Sequence, residues 1–193
     1  MAKENRQKNG ATITRGRSLP GDPPRDRMVE QIIRVDHAGE YGAKRIYDGQ
    51  LAVLEKDEVA PIIREMAKAE QKHLQTFDKL IVERRVRPTV LSPLWNVAGF
   101  ALGAGSALLG ARAAMACTAA VEEVIEEHYK EQSEKLGDDE IGLRVTLEEF
   151  GAEETHHKEI GEKYSSTESA SFQPMSRLIK RGTRLAIWLS QRI

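Results

Sequence analysis

The chain has 193 residues, 29 Lys and Arg against 30 Asp and Glu, and a formal net charge of -1 at neutral pH. That length suits one domain with a sizeable core, and so even a charge balance gives no ground for wholesale nucleic-acid binding. A single cysteine, Cys117, excludes an intramolecular disulfide framework and points to a reducing compartment; in its Ala-rich run it reads as a small buried apolar residue.

Strand-forming alternation is scarce, whereas long stretches of Ala, Leu, Glu, Lys, Arg and Ile repeat apolar residues at three and four, so the fold class is all-α. Residues 1–27 read as a disordered tail broken by Gly10, Gly16 and Pro20-Gly21-Asp22-Pro23-Pro24. It lacks the apolar core of a secretory signal and the amphipathic pattern of a transit peptide, which leans toward a bacterial chain. Residues 28–193 are expected to form one domain.

The first helix is expected over Met28 to Glu55, with Val29, Ile33, His37, Glu40, Tyr47, Leu51 and Leu54 on one side. A carboxylate on that apolar stripe needs a partner, a metal ion or a basic side chain, because burying an unpaired charge costs several kcal/mol. His37 has no counterpart later in the chain and is read as a core or supporting group. A second helix, Glu58 to Arg84 with Pro61 in its first turn, aligns Ile62, Met66, Glu70, His73, Phe77 and Leu80.

Arg84-Arg85-Val86-Arg87-Pro88 closes this hairpin, and from Thr89 to Ala111 no residue is charged. With its glycines and serines, Asn96 and Pro93, this crossover (about 89–111) is too weakly hydrophobic for a confident span; it packs on protein or dips into one leaflet. The next helix, Arg112 to Leu136, carries Glu122 on its apolar face with Met115, Thr118, Ile125 and Tyr129, while Glu123, Glu126, Glu127 and Lys130 fall on the wetter side. His128 and Tyr129 are read as packing or surface residues. After a turn at Gly137-Asp138-Asp139, where either aspartate can cap, Leu143, Leu147, Phe150, Glu154 and His157 share a stripe, with Glu153 and His156 at its edge. A linker follows from Ser165 to Ser171. The last helix (about 174–193) has an apolar face with Trp188 and a cationic face with Arg177, Lys180, Arg181, Arg184 and Arg192, which suits an anionic membrane surface.

Glu40 precedes Glu70-x-x-His73 by 30 residues, and Glu122 precedes Glu154-x-x-His157 by 32. An acid, two helix arms and Glu-x-x-His, twice over, is the pattern by which two helical hairpins enclose a pair of metal ions. Four carboxylates and two imidazoles without thiolate favour iron or manganese over zinc or calcium. Two ferrous ions together can pass electrons to dioxygen, which serves hydroxylation or iron oxidation and storage alike.

His37-Ala38-Gly39-Glu40-Tyr41-Gly42-Ala43, Arg85-Val86-Arg87-Pro88-Thr89, Pro93-Leu94-Trp95-Asn96 and Ala120-Val121-Glu122-Glu123 together resemble the demethoxyubiquinone hydroxylase (Coq7) family, from about Gln31 to the C-terminus. The resemblance implies a ferritin-like four-helix bundle holding two iron ions, with dioxygen as co-substrate and demethoxyubiquinol as substrate, late in ubiquinone synthesis. It implies Glu40, Glu70, His73, Glu122, Glu154 and His157 as metal ligands, with Glu70 and Glu154 bridging; the adjacent Glu153 and His156 compete for the last register. It further implies a peripheral protein on membrane lipid, at the cytoplasmic face in a bacterium or the matrix side of the mitochondrial inner membrane in a eukaryote. A reductase, an accessory biosynthetic protein and a homo-oligomer stay open as partners, with no nucleic acid. The alternative is an iron-oxidising storage or detoxifying protein of the ferritin or rubrerythrin kind, against which the charge-free crossover and the cationic last helix argue.

Overall fold

The computed structural model describes residues 25–165 and 172–193; the expected tail lies outside them up to residue 24, as does the linker after Ser165. Six helices follow in order: α1 Arg25–Leu54, α2 Ala60–Glu83, α3 Ser92–Leu108, α4 Ala111–Lys135, α5 Ile141–Ser165 and α6 Gln173–Ser190. Among the described residues there is no strand. Asp26 in the first turn of α1 sits where the helix dipole favours an acid. In α2 the ring of Pro61 falls in the first turn, where no helical N–H is needed, and Asp57 accepts from the Val59 amide at 3.0 Å. The Asp138 and Asp139 expected as caps form instead a 3-10 turn, Asp138–Glu140, ahead of α5, and Arg144 Nη1 donates to Asp138 Oδ1 at 3.4 Å.

Two hairpins, α1 with α2 and α4 with α5, make a four-helix bundle; α3 lies along α1 and α6 on α4. The crossover is held by backbone against backbone. A Cβ added at Gly103 would sit 1.9 Å from the Ile46 carbonyl oxygen, at Gly49 2.2 Å from that of Phe100, and at Gly99 2.8 Å from that of Gly42. Gly99 and Gly103 of the crossover and Gly49 of α1 therefore serve close helix approach, and α3 packs on protein along that side. Its other side leaves Leu94 and Val97 exposed, and no described helix is long and apolar enough to cross a membrane.

The cationic face of α6 is only partly free. Ile179 is buried, Lys180 pairs with Glu123 at 2.5 Å and Arg184 with Glu127 at 2.9 Å, so those two glutamates of α4 are ion-paired rather than simply solvated. Glu126 likewise pairs with Lys158 of α5. Cys117 is fully buried, and burial pushes its thiol up to about 12, as befits an inert apolar residue.

Two apolar layers fill the bundle. Val29, Ile33, Phe77, Tyr129, Leu143 and Leu147 pack at one end. Tyr47, Leu54, Ile63, Met66, Ala114 and Met115 pack at the other. Between these layers every bundle helix carries a buried acid, and two of them a histidine as well: Glu40 on α1, Glu70 and His73 on α2, Glu122 on α4, Glu154 and His157 on α5.

Candidate metal centre

All six of these side chains are buried, and they meet. Glu40, Glu70, His73 and Glu154 bring one ligand atom each within 4.8 Å of one another; Glu70, Glu122, Glu154 and His157 do the same, so the two groups share Glu70 and Glu154. His73 Nδ1 lies 3.1 Å from Glu154 Oε1 and 3.3 Å from Glu40 Oε2. His157 Nδ1 lies 3.1 Å from Glu70 Oε1 and 3.2 Å from Glu154 Oε2. Both imidazoles thus aim the same nitrogen into the cluster, one from each hairpin.

Four carboxylates cannot share such a space as bare anions. Burial first, then repulsion from Glu154, pushes Glu70 and Glu122 well above the usual carboxylate range. Glu154 is itself buried, but the His157 and His73 imidazoles beside it outweigh that and hold it below its ordinary value. Even so, Glu40 Oε2, both oxygens of Glu70, Glu122 Oε2, Glu154 Oε1 and His73 Nδ1 are buried without a hydrogen-bond partner. Orphaned buried atoms of this kind are costly. Here they converge on the points that cations would occupy, and hard oxygens with imidazole nitrogen form a donor set suited to a first-row divalent metal.

The hydrogen bonds that do exist orient the cluster from outside. Tyr47 Oη donates to Glu122 Oε1 at 2.7 Å, and Tyr129 Oη donates to Glu40 Oε1. Burial raises both phenols well above their ordinary value, so each remains a donor. Glu153 Oε2 lies 2.9 Å from His73 Nε2. Of the two registers, Glu154 and His157 are buried in the cluster, Glu153 backs the ring of His73 with its side chain 43% exposed, and His156 is exposed. His37 is largely buried, its side chain 15% exposed, and its Nε2 reaches outward to Asp78 of α2 at 3.1 Å.

A family model described as "Ubiquinone biosynthesis protein COQ7" matches residues 27–190. The chain belongs to the COQ7 family. It is 52% identical over 176 residues to the 3-demethoxyubiquinol 3-hydroxylase of Rhodospirillum rubrum, spanning 91% of this chain and 83% of that one. It is 49% identical over 169 residues to the human NADPH-dependent 3-demethoxyubiquinone 3-hydroxylase, mitochondrial (86% and 78%). To the 5-demethoxyubiquinone hydroxylase, mitochondrial, of Saccharomyces cerevisiae it is 38% identical over 183 residues (86% and 78%).

In this COQ7 chain an apolar cavity of roughly 270 Å³ opens between α1, α3, α4 and α6. Gly39 and Gly42 flank Glu40 along its α1 wall, Val121 and Ile125 flank Glu122 along its α4 wall, and Leu102 and Ala186 close it from α3 and α6. A second polar group lies one turn from Glu40: Gln132 Nε2 donates to Asp36 Oδ1 at 2.8 Å and lies 2.9 Å from His128 Nε2. Burial raises the Asp36 carboxyl and, with Lys135, lowers His128 to about 4, so the imidazole is neutral and accepts from the amide. Neither Asp36 nor Gln132 is singled out by the sequence, though Asp36 precedes Glu40 by four residues and so shares its buried face.

Proposed function

We propose that this COQ7-family chain hydroxylates the ring of a demethoxyubiquinol, with two iron ions held by Glu40, Glu70, His73, Glu122, Glu154 and His157. One observation carries the reading: two four-residue groups share Glu70 and Glu154, and within them Glu40 Oε2, both Glu70 oxygens, His73 Nδ1, Glu122 Oε2 and Glu154 Oε1 are buried with no hydrogen-bond partner. Glu40 and His73 complete one side, Glu122 and His157 the other, and the shared glutamates span both. When bound, the iron pair supplies electrons to dioxygen. Ring hydroxylation places one oxygen atom in a C–H bond and releases the other as water, consuming two electrons and two protons.

The chain's own residues position this chemistry. Tyr47 and Tyr129 hold Glu122 and Glu40 by one oxygen each and leave the other oxygen facing inward. The apolar cavity, walled by neighbours of Glu40 and Glu122, accepts the quinol ring and excludes water. The names of the human and Rattus norvegicus relatives specify NADPH, which we take as the source of the two electrons. Leu94 and Val97 of α3 with Leu178, Leu185 and Trp188 of α6 expose apolar side chains beside arginines, which suits a protein resting on the bilayer that dissolves the substrate. The human and Saccharomyces cerevisiae relatives are named mitochondrial; this chain sits peripherally on a membrane, at the matrix side of the mitochondrial inner membrane in a eukaryote or the cytoplasmic face in a bacterium.

The test is a single turnover with protein loaded anaerobically with ferrous iron, demethoxyubiquinol in detergent, NADPH and labelled dioxygen. One labelled oxygen atom in the ring is the expected result. Iron oxidation with no oxygen in the ring, in the presence of reductant, would favour an iron-oxidising protein instead.

A further inference from the structure

Three arginines from separate parts of the chain line one surface cavity of roughly 350 Å³: Arg34 from α1, Arg87 from the α2–α3 connection and Arg192 just beyond α6. Arg34 Nε donates to the Arg87 carbonyl oxygen at 2.7 Å, which ties α1 to the connection. Arg192 lies over the Trp188 ring at 4.2 Å and donates through Nη1 to the Trp188 carbonyl oxygen at 2.9 Å. These bonds use one donor each of Arg34 and Arg192, out of the five that a guanidinium carries. Among the described residues no carboxylate pairs with any of the three, although neighbouring cations are paired: Arg84 with Glu140, Lys180 with Glu123, Arg184 with Glu127.

Like charges gathered in a concavity repel one another unless an anion joins them, and the planar fork of arginine matches phosphate oxygens. The rim narrows the source of that phosphate. Val90 and Ile193 line the cavity and are 59% and 49% exposed, and Trp188, under Arg192, is 50% exposed. Cations interleaved with exposed apolar and indole groups are what a lipid headgroup region meets, phosphate on one side and acyl chain on the other. Free inorganic phosphate has no use for that rim.

We propose that Arg34, Arg87 and Arg192 form a binding site for the headgroup phosphate of an anionic phospholipid. The site rests on the reading that α3 and α6 face a membrane, and it gives that contact a specific polar anchor. It joins two features of the sequence that the hydroxylation chemistry leaves unused, the arginine run before Pro88 and the basic end of the last helix.

The experiment is co-sedimentation of the full chain with vesicles of phosphatidylcholine alone and of phosphatidylcholine mixed with phosphatidylglycerol. Arg87→Gln/Arg192→Gln is compared with Lys56→Gln/Lys79→Gln, which removes the same charge from exposed positions away from the cavity and from α3 and α6; thermal unfolding verifies that both fold. The wild type prefers the mixed vesicles, the cavity pair loses about 30-fold in partition, and the control pair loses less than about threefold. Equal losses for the two pairs, or none, overturn the site and leave the membrane-facing reading standing if phosphatidylcholine alone still binds. Failure of the wild type on both vesicles overturns site and membrane reading together, without touching the hydroxylase chemistry. Trp188 fluorescence, titrated with inorganic phosphate and with NADPH, supplies the other arm. Saturation by either one, with no preference for phosphatidylglycerol, assigns the cavity to a soluble phosphate and overturns the lipid source.

Discussion

Glu153 Oε2 lies 2.9 Å from His73 Nε2, reaching from α5 to α2 across the bundle. Because Glu154 Oε1 is 3.1 Å from Nδ1 of the same ring, two consecutive residues of α5 address both nitrogens of one imidazole. The outer carboxylate fixes which nitrogen keeps its proton and so leaves Nδ1 free to donate its lone pair inward.

Glu153→Gln is therefore expected to weaken iron binding by about tenfold, with little change in the unfolding temperature of the metal-free chain. Titration with ferrous iron under anaerobic conditions checks this. Unchanged affinity would reduce Glu153 to a surface contact.

The metal-free chain should lose stability as pH rises. Burial opposes protonation of His73, but the Glu154 and Glu40 carboxylates beside it overcome that and raise the ring to about 10. A folded value above the unfolded one gives stability that is fully present below about pH 6.5 and is lost as pH climbs toward 10. Metal replaces that proton, so the loaded chain should show the opposite trend over the same window, its metal affinity growing with pH. Urea unfolding with and without a chelator, at several pH values between these limits, reads both slopes.

Gly103→Ala and Gly105→Ala separate packing from propensity on one helix. A Cβ at Gly103 would stand 1.9 Å from the Ile46 carbonyl oxygen, whereas at Gly105 it would meet nothing within 4 Å. The first change should destabilise by about 3 kcal/mol or more, and the second should stabilise by about 0.5–1 kcal/mol through helix propensity. Denaturant midpoints for the two variants decide it, and equal effects would mean that α3 does not rest on α1 as described.

Ala186→Trp places an indole in the cavity between α1, α3, α4 and α6. Turnover of demethoxyubiquinol should fall by at least about tenfold, because the reacting ring can no longer be held in place. Iron binding should be unaffected, since none of the six candidate ligands lines that cavity. Full turnover in this variant would move the substrate elsewhere.

The helices and the inward acids were legible because a carboxylate on an apolar stripe is a conspicuous exception, and Glu40, Glu70, Glu122 and Glu154 each make one. What lay beyond the sequence depends on distances between helices. Glu153 sits at the edge of its stripe, and only the approach of α2 turns it toward His73. Tyr47 and Tyr129 look like ordinary core aromatics until their hydroxyls are seen against Glu122 and Glu40. The basic face of the last helix reads as uniform, yet Lys180 and Arg184 turn to glutamates of α4, a pairing that no local pattern announces. The glycines of the crossover suggested weak hydrophobicity, and their purpose emerges only where they meet the backbone of α1.

That backbone contact makes α3 a spacer of constant height. With no side chain between Gly103 and the carbonyl of Ile46, the crossover cannot ride up or down against α1 by trading rotamers. Any surface on which α3 comes to rest is thereby held at a set offset from Glu40, two turns earlier on α1 than Ile46. How far a substrate must travel to reach the buried acids is then a property of the scaffold, as a keyhole's depth belongs to the door.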